Sequence, residues 1–113
     1  MTEIQHRDLA GGRWLQLSLF EQLANIGSEV SRANRWLPRN RDLARAAVFR
    51  ALELLDLTLD DPRLRATPHR LREIARLREV LADHYEGDDQ YGCTGESLQR
   101  YLDQYASGLR RQR

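Results

Sequence analysis

Apolar residues recur along this chain at spacings of three and four, in four separate runs. That period belongs to α-helices. In the first run Leu19, Leu23, Ile26, Val30, Ala33 and Leu37 alternate by four and three, a heptad-like seam within a helix predicted over Trp14–Trp36. Pro38 is expected to stop it, because the residue before a proline is pushed out of the α region. A second helix is predicted over Arg41–Leu59. At 100° per residue, Leu43, Ala44, Ala47, Val48, Ala51, Leu52, Leu55 and Leu59 cover about half its circumference, so it should touch more than one neighbour. Asp60-Asp61-Pro62 ends it, with Asp61 placed to cap a short turn that has Pro62 at its first position. A third helix is predicted over Pro68–Tyr85, capped by Thr67 and stopped by Gly87, with Leu71, Ile74, Leu77, Leu81 and Tyr85 on its core face. After the loop from Gly87 to Cys93, Thr94 caps a fourth helix over Gly95–Gly108. Its stripe is Leu98, Tyr101, Leu102, Tyr105, Ala106 and Leu109, and Glu96 suits the positive end of its dipole. Long helices joined by short loops pack against their neighbours in opposite directions. The expected fold is therefore all-α, an antiparallel up-down four-helix bundle over residues 14–109, with a polar N-terminal arm at 1–13 and a basic tail at 110–113.

Composition agrees with this reading. Leu, Ala, Arg and Glu dominate while Val, Ile and Thr are scarce, a usage that favours helix over strand. With 113 residues and 41% apolar content there is enough for one core, but no run approaches the roughly 18 uncharged apolar residues of a membrane span. The first thirteen residues carry Glu3, Arg7 and Asp8 and no apolar run, unlike a signal peptide. Cys93 is the only cysteine, so no intrachain disulfide forms, and a reducing, cytoplasmic setting is expected. Net charge is only +1, yet all 18 basic side chains are Arg and none is Lys. Arg suits planar recognition of phosphate or carboxylate; a GC-rich coding sequence produces the same bias.

Several residues break the pattern. Arg78 falls between Leu71 and Tyr85 on the wheel of the third helix, so it is expected as a buried charge needing Glu29, Glu53 or Asp56 as partner. Trp14 and Trp36 lie within roughly 40° of each other on the polar side of the first helix. Phe49 sits among Arg45, Asp42, Glu53 and Asp56 on the second. Exposed aromatics of this kind mark candidate interfaces, against the alternative that they fold over helix ends. Ala24, Gly27, Ser28 and Ser31 form a small-residue strip that invites close approach of another backbone, in this chain or another. Arg32, Arg35, Arg39, Arg41 and Arg45 cluster at the turn between the first two helices, and Arg63, Arg65, Arg70 and Arg72 at the start of the third. Either group is a candidate footprint for RNA or DNA, or an ordinary solvated surface.

Little catalytic chemistry is legible. His6, His69, His84 and Cys93 match no zinc spacing, and Asp83, His84, Asp88 and Asp89 match no EF-hand loop. No Gly-rich phosphate loop occurs. No catalytic residue, metal or cofactor is assigned. One loose pattern, Arg followed four to six residues later by His, resembles that of HEPN ribonucleases from toxin–antitoxin modules. It occurs at Arg78–His84 and Arg63–His69, although Glu79 and Leu64 stand where that family usually has a polar Asn, Asp or His.

The stretches from Phe20 to Val30, Arg50 to Thr58 and Arg76 to Leu81 resemble a family of small bacterial proteins without an assigned function, over roughly residues 14 to 106. More distantly, size and layout are similar to the four-helix-bundle proteins encoded in ribosomal RNA intervening sequences, including the accessory variability determinant of diversity-generating retroelements. That resemblance implies a homo-oligomer with basic surfaces, a protein partner such as a reverse transcriptase, and contact with RNA or DNA. The expected function is thus a non-enzymatic, self-associating interaction module that presents an Arg-rich surface to a protein or nucleic acid and touches no membrane. The alternative is a HEPN-like ribonuclease or toxin–antitoxin component.

Overall fold

The computed structural model describes residues 12–87 and 94–111, with side chains in the last helix described through Gln104 and at Ser107. Among the described residues every regular element is a helix. A 3-10 turn at Trp14–Gln16 is followed by α1 (Leu19–Trp36), α2 (Arg41–Leu59), a single turn α3 (Pro62–Arg65), α4 (Pro68–Glu86) and α5 (Gly95–Arg111). The Cα radius of gyration, 13.7 Å, is close to the roughly 13 Å expected of one folded domain near this length.

α1 packs against α2 and α5, and α2 packs against α4. From α1, Gln22 meets Asp61, just past the end of α2, while Glu29 meets Arg50 within it. Between α1 and α5, Gly27 meets Gln99 while Asn34 meets Gly95. Between α2 and α4, Arg45 meets Glu86 while Asp56 meets Arg78. In each pair numbering rises on one helix as it falls on the other. The dry interior holds Leu23, Ile26, Val30 and Ala33 of α1; Ala47, Val48, Ala51, Leu54 and Leu55 of α2; Ile74, Leu77 and Leu81 of α4; and Leu98 and Leu102 of α5. The stripes predicted for the four long helices thus supply most of this core, although Tyr101 of the last stripe is 40% exposed. Tyr105, Ala106 and Leu109 of the last stripe lie outside the described side chains.

The start of the first helix differs from expectation, and the difference moves a tryptophan. Leu17 (φ −79°, ψ 148°) and Ser18 (φ −67°, ψ 161°) are extended, so the helix begins at Leu19 rather than Trp14. Ser18 and Glu21 form a reciprocal capping box: the Glu21 N–H donates to Ser18 Oγ at 3.1 Å and the Ser18 N–H to Glu21 Oε1 at 2.9 Å. The break frees Trp14 from the helical wheel and turns it inward, where it is 1% exposed. Its indole Nε1 donates to Thr58 Oγ1 at 3.0 Å, and its carbonyl accepts from Gln22 Nε2 at 3.0 Å. Trp14 is therefore part of the core, and its expected place in an exposed interface does not stand.

Other boundaries follow their local chemistry. Asn40 caps α2 through Leu43 N–H (3.1 Å), and Asp61 caps α3 through Arg63 N–H (2.9 Å) with Pro62 at the first position. Thr94 and Ser97 cap α5 reciprocally. Thr67 accepts no capping bond; its hydroxyl turns back to the Arg63 carbonyl at 3.5 Å, because α3 sits directly before it. Leu37 keeps helical angles (φ −50°, ψ −45°), so α1 ends where Pro38 offers no N–H, not because its predecessor leaves the α region. Leu37 and Leu43, expected in the core, are exposed, because they sit at the end of the molecule where neighbouring helices stop.

Candidate functional site

Glu29 is the deepest charge on α1, 5% exposed, and two guanidiniums hold it: Arg32 from the next turn and Arg50 Nε across the seam at 2.5 Å. Glu29 falls on the wheel beside Ile26 and Val30. The argument that singled out Arg78 therefore applied equally to Glu29. Arg78 itself is not buried. Its side chain is 36% exposed and forms a fork on Asp56, Nε to Oδ1 at 2.9 Å and Nη2 to Oδ2 at 3.3 Å. The long aliphatic stem covers the apolar face while the head reaches the rim, which is why the wheel placed it too deep.

A second polar knot lies beneath α3. Asp61 is 3% exposed and accepts from Gln22 Nε2 (3.1 Å), the Arg63 backbone and the Arg63 guanidinium (Nη2 to Oδ2, 2.6 Å). Those Arg63 hydrogen bonds hold the Asp61 carboxyl below the ordinary carboxylate range against the upward pull of burial. Arg63 Nη2 also donates to the Leu17 carbonyl at 2.6 Å, tying the extended break before α1 to α3. This knot is structural: it satisfies groups that the chain break would otherwise leave bare.

In both loose Arg–His pairs the Arg has an acidic partner. Arg78 is engaged by Asp56, and six residues on, about 9 Å along and 120° around α4, His84 packs edge-on against Tyr85 at 4.6 Å between ring centroids. Arg63 is held by Asp61, and His69 is exposed. Cys93, Asp88, Asp89 and His6 lie outside the described residues. Among the described residues no three His, Cys, Asp or Glu side chains converge as metal ligands.

The most distinctive surface lies at the end where α1 turns into α2. Of six large apolar side chains exposed among the described residues, three lie here, Trp36 (37%), Leu37 and Leu43, while Phe49 (44%) lies near the middle of α2. The sequence-derived arginines lie in the last turns of α1, the connecting turn and the first turns of α2. Arg32 is tied to Glu29, and Arg45 Nη2 stands 3.4 Å from Glu86 Oε2. Arg35, Arg39 and Arg41 are exposed and make no ion pair among the described residues. Phe49 lies one helical turn beyond Arg45 on α2. Between α2 and the end of α4 is a cavity of about 300 Å³. The buried side chains Ala44 and Val48 line it, with Leu37 and Tyr85 beside them and Arg41, Asp42, Arg45 and Glu86 around its mouth.

Tyr85 is fixed from behind. Its hydroxyl donates to Asn34 Oδ1, and Asn34 Nδ2 donates to the Gly95 carbonyl at 3.1 Å, linking α4, α1 and α5. Burial pushes the Tyr85 phenol up to about 12. Of the small-residue strip of α1, Gly27 meets α5 while Ala24 and Ser28 are exposed: a methyl placed on Gly27 would touch Gln99, Leu102 and Asp103, and the Gly27 carbonyl accepts from Gln99 Nε2 at 3.2 Å.

Compared with known proteins, the chain matches no family model, no curated protein and no solved structure. Among the described residues no helix is long and apolar enough to cross a membrane.

Proposed function

We propose that this chain is a non-enzymatic interaction module, built on an antiparallel up-down four-helix bundle, that self-associates and meets a protein or nucleic-acid partner through the α1–α2 end. The opposed numbering across the α1–α2, α1–α5 and α2–α4 seams supports the bundle. One observation carries the functional reading. Trp36, Leu37 and Leu43 are exposed at the same end as Arg35, Arg39 and Arg41, which lack counter-ions among the described residues, and Phe49 is exposed farther along α2. Exposed aromatics interleaved with arginine are what interfaces select, because both bury much area at a few positions. A family relationship to the intervening-sequence and retroelement accessory bundles, with a reverse transcriptase as partner, is one form this function takes.

The test combines oligomeric state with salt dependence. Sedimentation over a range of concentrations should show a reversible oligomer that Trp36→Ala with Phe49→Ala weakens. Binding to single-stranded RNA should fall steeply with salt and be lost in Arg35→Glu with Arg39→Glu. A chain that stays monomeric at every concentration and binds neither RNA nor protein sinks the reading.

A further inference from the structure

We draw no further inference here: the strongest candidate, the apolar groove between α4 and α5 lined by Leu77, Val80, Leu98 and the exposed Tyr101, carries none because nothing in the structure shows what covers it.

Discussion

Gly95 offers the sharpest test of how the α1–α4–α5 corner is held. It opens α5, and its carbonyl accepts from Asn34 Nδ2 at 3.1 Å. A Cβ added there would lie 2.4 Å from Asn34 Oδ1 and 2.9 Å from its Cγ, closer than nonbonded atoms approach. A free side chain would swing away at little cost. Asn34 is not free: it accepts from the Tyr85 hydroxyl with one end of its amide and donates to Gly95 with the other. In Gly95→Ala it must give up both bonds, at about 1 kcal/mol each, or about 2 kcal/mol together. Replacing glycine by alanine near a helix start returns up to about 1 kcal/mol through propensity and a less disordered unfolded chain. The net expectation is a loss of about 1 kcal/mol, a fall in Tm of about 4 °C for a chain of this size. Chemical denaturation followed by circular dichroism measures it. The same substitution in an Asn34→Ala background removes the clash, so there Gly95→Ala should be neutral or stabilising. Equal or greater stability for Gly95→Ala alone would refute the reasoning, since the Asn34 link would then carry no weight.

The other expectations are simpler. Trp14 is buried and Trp36 exposed, so acrylamide should quench the fluorescence of the Trp14→Phe protein strongly and that of Trp36→Phe weakly, while Trp14→Ala should destabilise by about 3–5 kcal/mol through the cavity it leaves. Asp61 has a folded-state pKa below its unfolded one, so its contribution is present above the unfolded value and lost as pH falls through the folded one; Asp61→Asn should flatten the acid limb of a stability–pH profile and leave the neutral region nearly level in slope. Tyr85 has the opposite sign: raised from 10.0 to about 12, it stabilises the fold below pH 10.0 and loses that contribution as pH rises toward 12, so an ultraviolet titration, in which burial also raises Tyr101, should lose part of its late-ionising absorbance in Tyr85→Phe.

Much of this architecture follows from short-range rules that a linear reading applies directly. The α2 limits Arg41–Leu59 coincide with the expected ones, because Asn40 and Asp60-Asp61-Pro62 punctuate the chain locally. The inward stripes of α1, α2, α4 and α5 follow from spacing alone, since burial must repeat with the helical period. The start of α1 was legible too: Ser18 followed three residues later by Glu21 is a capping signature, and it takes precedence over a seam extended back to Trp14.

Tertiary contacts decided the rest. Whether Arg78 sinks or snorkels depends on Asp56 standing at the rim of α2, and whether Trp14 faces water depends on Thr58 waiting 44 residues away. Leu37 and Leu43 obey the apolar period yet are exposed, because a helix repeats regularly while its neighbours end. The cavity between α2 and α4 has no signature in the chain at all. It arises where Leu37, Ala44, Val48 and Tyr85, drawn from a turn and two helices, happen to leave space. Periodicity dictates which face of each helix turns inward, since it depends only on neighbours along the chain. Depth, partnership and empty volume depend on where other helices stop, which is set by the packing of the whole domain.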